Sequence, residues 1–120
     1  MTQPVLSLWI NGKPQASLSM RTAEVFNPAS GAVIRPVPLA GKQDVENAVA
    51  AARAAFPGWR DTTPLRRARI LMRFRELMQA HRDELIHLTT EEHGKTREDA
   101  AGSLQRGIEV IEFAMGVPHL

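Results

Sequence analysis

The sequence predicts a mainly helical chain with an N-terminal β-hairpin, a portion of an α/β architecture. Three observations carry this. The β-prone run Val5-Leu6-Ser7-Leu8-Trp9-Ile10 leads into Asn11-Gly12, a dipeptide suited to a type I′ turn because both positions tolerate positive φ. From Lys42 onward the hydrophobic period changes to helical. The later helices carry apolar stripes that the small strand block cannot cover, so a sheet from elsewhere in a longer chain is expected against them.

The elements follow in order, with residues 1–40 read as strands and turns and residues 41–120 as helices. Gln15 to Leu18 is the expected return strand of the hairpin. Thr22-Ala23-Glu24-Val25-Phe26 alternates polar and apolar and predicts another strand. Asn27-Pro28-Ala29-Ser30-Gly31 is a turn, after which Ala32-Val33-Ile34 resumes an extended course. Pro36 and Pro38 lack ladder donors, which predicts an edge or a connector.

Val45, Ala48, Val49, Ala52 and Phe56 recur at helical spacing, with Asp44 and Glu46 in the favourable first turn and Pro57-Gly58 as the expected stop. Thr63-Pro64 opens a second helix as N-cap and first helical residue. Its apolar face is read as Ile70, Leu71, Phe74, Leu77 and Met78, with Arg66, Arg69 and Arg73 opposite and Glu76 beside Arg73. A third segment runs from about Arg82 to Glu92, with Leu85, Ile86, Leu88 and Thr89 facing inward and Gly94 ending it. A fourth begins near Thr96, with Asp99 at a capping-box-like spacing, and presents Leu104, Ile108, Ile111 and Met115. Gly116-Val117-Pro118 ends it.

Composition narrows the function classes. The 120 residues suit one ordinary domain, and 43% hydrophobic content is that of a globular chain. No apolar run is long enough to span a bilayer. Met1-Thr2-Gln3-Pro4 has no basic region and opens no long apolar stretch, so no secretory or organellar leader is expected and a cytoplasmic protein fits. With no cysteine, this stretch has no disulfide, thiolate metal site or thiol nucleophile. Net charge is only +2 and aromatics make up 5%, which gives a nucleic-acid-binding role little support.

Several motifs reduce to structure. Gly94-Lys95-Thr96 resembles the end of a phosphate loop, but Thr89 stands where the required glycine would be, and a helix stop followed by an N-cap accounts for it. His81-Arg82-Asp83 reads as a helix junction. His81, His87 and His93 are six residues apart, a rotation of about 240° on a helix, so they do not converge on a metal. The Arg66, Arg69, Arg73 face reads as solvated, with partial pairing to Glu76.

Arg106 is the most informative charge. Val110 and Phe113 follow at four and seven residues, an apolar strip in line with it. Such an arginine is either a snorkelling stem or a cation aimed at an anion, and residue pattern alone favours the stem. A guanidinium in a mostly apolar pocket also suits bidentate binding of a carboxylate, and Gly107 allows close backbone approach.

Taken together, these segments resemble the aldehyde dehydrogenase superfamily over essentially the whole chain. Trp9-Ile10-Asn11-Gly12-Lys13 resembles its opening hairpin, and Phe26-Asn27-Pro28-Ala29-Ser30-Gly31 is similar to its Asn-Pro-Ala-Thr-Gly turn. Asp44-Val45, Ala48-Val49-Ala50-Ala51-Ala52, Ala55-Phe56-Pro57-Gly58-Trp59 and Arg69-Ile70-Leu71 follow in the family's order. The stretch Glu91-Glu92-His93-Gly94-Lys95-Thr96, then Gly102, Arg106-Gly107-Ile108-Glu109, Glu112-Phe113-Ala114 and Gly116-Val117-Pro118 is more specific. It resembles CoA-acylating methylmalonate-semialdehyde dehydrogenases, whereas other aldehyde dehydrogenases usually place an apolar residue where Arg106 stands.

The resemblance implies an N-terminal part of the cofactor-binding domain, with the catalytic domain absent. It implies an enzyme in which a cysteine attacks a semialdehyde, hydride passes to NAD, and CoA takes the acyl group with loss of carbon dioxide. It also implies a homo-oligomer with no nucleic-acid or membrane partner. It assigns Arg106 to the substrate's carboxylate. No catalytic, cofactor-binding or metal-binding residue of the family matches a position here, so the chain alone is expected to bind no cofactor and to be inactive. The alternatives are a non-acylating enzyme for another carboxylated semialdehyde, an inert or subunit-associating product, and a small nucleic-acid-binding helical protein using the arginine face.

Overall fold

The computed structural model describes residues 4–119. The leaderless reading of Met1, Thr2 and Gln3 concerns residues outside that range. Among the described residues the chain forms two compact units, dividing after Gly58.

In the first unit, β1 (Leu8–Ile10) pairs antiparallel with β2 (Lys13–Gln15), Ile10 facing Lys13. Asn11 and Gly12 both take positive φ, 54° and 73°, the pair of values a type I′ turn demands. The return strand therefore starts at Lys13, immediately after the two-residue turn, and not at Gln15 as the sequence suggested. Turn geometry fixes register here, and it outweighs the weak strand propensity of Lys13-Pro14.

β3 (Thr22–Phe26) and β4 (Val33–Pro38) form a second antiparallel pair. The Asn27 carbonyl accepts from the Gly31 amide at 2.8 Å, and Asn27 Oδ1 accepts from the Ala29 amide at 2.9 Å, closing the turn between them. Pro36 and Pro38 lie inside β4, so this segment is a strand and not a connector; the edge expectation holds because the sheet has two strands. The prolines alternate with Arg35 and Val37, which face Val25 and Ala23. The Pro36 carbonyl points away from β3, where it accepts from the Leu6 amide at 3.1 Å. Both missing N–H groups thus fall on the side that β3 does not use.

Helix α1 (Lys42–Asp61) starts after Gly41. Asp44, in its first turn, is 4% exposed and accepts from the Gly41 amide at 2.9 Å. That is the backward-reaching half of a capping box. The same carboxylate accepts from the Leu18 amide at 2.9 Å and the Ser17 hydroxyl at 2.7 Å, tying the chain after β2 to the helix. The sequence placed Asp44 only as a favourable dipole charge.

The expected stop at Pro57-Gly58 does not occur; α1 continues to Asp61. Proline removes the hydrogen bond to the Arg53 carbonyl, but the helix is exposed from Ala52 to Arg60, so water can take that acceptor. Gly58 does not adopt the left-handed conformation that would end the helix. The Val45, Val49 and Phe56 stripe is exposed in this structure.

In the second unit, α2 (Pro64–Ala80), α3 (Arg82–His93) and α4 (Arg97–Met115) pack together, and a short 3₁₀ turn over residues 117–119 follows. Ala68 of α2, Ile86 of α3, and Ala100 and Ile108 of α4 are the buried apolar residues, Ile108 with no exposure at all. Thr63 is the α2 N-cap with Pro64 at the first position, though its side chain makes no capping bond.

The α2 face differs from the reading. Ala68 is buried and Leu71 and Met78 are half-buried, while Ile70, Phe74 and Leu77 are exposed. The apolar residues of this helix span one broad arc, and the buried side is the edge that carries Met78, Leu71 and Ala68. The inward residues expected of α3 and α4 are buried or half-buried. Gly94 ends α3 with φ 78°, and Thr96 caps α4 by accepting from the Asp99 amide at 3.2 Å. Gly94-Lys95-Thr96 is therefore a stop followed by a start. His81 joins α2 to α3, as the junction reading required.

Candidate functional site

The site is built on α4 and on the three-residue link that precedes it. Arg106 lies on an exposed strip of α4, with Val110 68% and Phe113 72% exposed further along. Its head does not run over those apolar neighbours. The guanidinium turns back toward the helix N-terminus, the direction in which helical side chains lean. Nη2 donates to Ser103 Oγ at 3.1 Å, and Nη1 lies over Gly102, where an added Cβ would stand 3.7 Å away. The residue pattern alone favoured a snorkelling stem along that strip, whereas the head is turned to Ser103.

Ser103 Oγ also accepts from Lys95 Nζ at 2.7 Å. Two cationic donors therefore meet on one neutral oxygen. Neither takes part in the ion pairs found among the described residues. On these helices three arginines meet carboxylates, Arg73 with Glu76 at 3.1 Å, Arg75 with Glu112 at 2.8 Å and Arg97 with Asp83 at 2.8 Å, while Arg66, Arg67, Arg69 and Arg82, like Arg106, form no ion pair among the described residues. Of the arginine face on α2, Arg73 is paired with Glu76 as expected. Lys95 was read only as part of the Gly94-Lys95-Thr96 stop and start, and Ser103 was not singled out. The i, i+3 spacing of Ser103 and Arg106 could have revealed the serine; the sequence showed the Gly94 stop but not that Lys95 after it reaches Ser103, eight residues on.

Other candidate chemistry is limited. No group of three or more His, Cys, Asp or Glu residues is disposed to hold a metal among the described residues. His81 Nδ1 pairs with Glu84 at 3.0 Å. No helix among the described residues is long and apolar enough to cross a membrane. A dinucleotide is ordinarily held where a parallel strand passes through a glycine-rich turn into a helix. The strands described here pair only antiparallel, so these residues do not fit that cofactor.

The aldehyde dehydrogenase family profile matches residues 15–119, and the chain belongs to that family. It is similar to the malonate-semialdehyde dehydrogenase of Pseudomonas aeruginosa, 49% identical over 111 residues, covering 92% of this chain and 22% of that protein. Among solved structures it is similar to the methylmalonate-semialdehyde dehydrogenase of Oceanimonas doudoroffii, with a TM-score of 0.93 and 47% identity over 99% of this chain and 24% of that one. It is also similar to a Sinorhizobium meliloti protein described as a methylmalonate-semialdehyde dehydrogenase and crystallised with NAD, with a TM-score of 0.95, 44% identity and the same coverage. The chain spans about a quarter of the length of these relatives.

Proposed function

We propose that this chain is the N-terminal portion of an NAD-dependent, CoA-acylating malonate- or methylmalonate-semialdehyde dehydrogenase, in which Arg106 binds the carboxylate of the substrate. The observation that carries the reading is a guanidinium with no carboxylate partner among the described residues. It stands on a helix within the span that is 44–49% identical to relatives named for carboxylated semialdehydes. A planar guanidinium in that state has two parallel donors to offer a planar carboxylate, and the pair is charge-assisted.

In this reading residues 1–120 form part of the cofactor-binding domain and supply recognition, not bond making. The chain has no cysteine, so it provides no thiol nucleophile, and on its own it is inactive. NAD and CoA are bound by other parts of a subunit of full family length, and the complete enzyme is a cytoplasmic homo-oligomer.

The test is Arg106→Leu in a dehydrogenase subunit of full family length bearing this segment. We expect kcat/KM for methylmalonate semialdehyde to fall by well over tenfold. A change within about threefold, under about 0.7 kcal/mol, overturns the carboxylate role. Turnover of the parent enzyme with and without CoA separates the acylating enzyme from a non-acylating one.

A further inference from the structure

We infer that Ser103 is a positioning residue for Arg106 and that Lys95 in turn fixes Ser103. This inference rests on the reading of Arg106 as the group that meets the substrate's carboxylate. An arginine on an exposed helix face has many rotamers, and a clamp needs one of them to be preferred. Here three features favour a single placement. Ser103 Oγ accepts from Nη2 at 3.1 Å. Nη1 rests over Gly102 at ordinary van der Waals distance, 3.7 Å from where a Cβ would stand. Lys95, half-buried on the link between α3 and α4, donates to the same oxygen at 2.7 Å.

The chemistry of the acceptor matters. A serine hydroxyl has two lone pairs and one proton. Both hydrogen bonds found at Ser103 Oγ come from cationic donors, which occupies its two lone pairs. A carboxylate in this place would orient the arginine and neutralise it together. A hydroxyl orients it and leaves its charge available to a ligand. Lys95 adds a second positive charge to the same locality, no farther from Arg106 than the two hydrogen bonds through the shared oxygen allow.

The experiment compares malonate semialdehyde with propanal, which lacks the carboxylate, in a dehydrogenase subunit of full family length bearing this segment. Ser103→Ala should raise KM for malonate semialdehyde about three- to tenfold, leaving kcat and the propanal constants within about twofold. Ser103→Thr, which keeps the hydroxyl, should restore most of the loss. Lys95→Met should shift KM in the same direction by a smaller factor. An unchanged preference for the carboxylated substrate in Ser103→Ala overturns the proposal, as does equal loss on both aldehydes, which marks a merely structural role. Failure of Ser103→Thr to rescue also overturns it. If Arg106→Leu abolishes the preference while Ser103→Ala is silent, only the positioning role falls. If Arg106→Leu is silent, the carboxylate reading falls and this one with it.

Discussion

Asp44 shows how much one side chain can decide locally. Its carboxylate accepts from two backbone amides and a hydroxyl, and these bonds hold its pKa below the ordinary value of 3.8, the Leu18 amide contributing most. A carboxyl whose folded pKa is depressed stabilises the fold above the unfolded pKa and loses that contribution as pH falls through the folded one. Thermal unfolding of the chain should therefore be flat in pH near neutrality on this account and decline below about pH 4. In Asp44→Asn the melting temperature should be lower at neutral pH, and the gap to the parent should close as pH falls below that point. A gap that persists unchanged at pH 3 would show that the carboxylate's charge is not what counts. Gly94 gives a second test at this scale. At φ 78° it occupies a conformation that costs an L-residue about 1 kcal/mol, so Gly94→Ala should lower stability by roughly that amount in a denaturant titration.

At the scale of elements, Ile108 is the pivot. It is fully buried on α4 where α2 and α3 converge, so Ile108→Ala should cost about 2–5 kcal/mol by chemical denaturation, through lost burial and the cavity left behind. A loss under about 1 kcal/mol would mean that the helices do not pack as described. Thr96→Ala, which removes a capping acceptor, should cost only about 1 kcal/mol. What the sequence made legible was local. Asn11-Gly12, Gly94 and Thr96 with Asp99 are each fixed by backbone rules acting over a few residues. What it did not make legible depended on partners. The inward face of α2 was misjudged because Ile70, Phe74 and Leu77 are as apolar as the face chosen, and only α4 discriminates between them. The Asp44 tie was missed because Leu18 is 26 residues away. The stop at Pro57 was misjudged because an exposed helix tolerates one lost hydrogen bond. Of the candidate site, the apolar strip drew attention to Arg106 but favoured a snorkelling stem, its carboxylate role being implied only by the family resemblance, and the reach of Lys95 to Ser103 was not legible although the Gly94 stop before it was.

At the scale of the whole chain, the apolar side chains left in solvent are numerous: Val45, Val49 and Phe56 on α1, Ile70 and Phe74 on α2, Val110 and Phe113 on α4. Scattered exposed residues are ordinary, but stripes along helices are not. The isolated chain should bind a hydrophobic dye such as ANS and self-associate in a concentration-dependent way, as read by light scattering. A monodisperse monomer that leaves the dye dark would contradict this. The stripes follow helices whose sequence belongs to a family with relatives about four times longer.

The two prolines of β4 bear on what form such association can take. Fibrillar growth requires every strand to accept a neighbour on both sides through a continuous backbone ladder. On the side of β4 away from β3, Pro36 and Pro38 offer no donors, and the Pro36 carbonyl is already engaged by Leu6. A strand arriving there would find acceptors without donors. Through the β4 edge, therefore, this hairpin can end a growing stack but cannot pass it on.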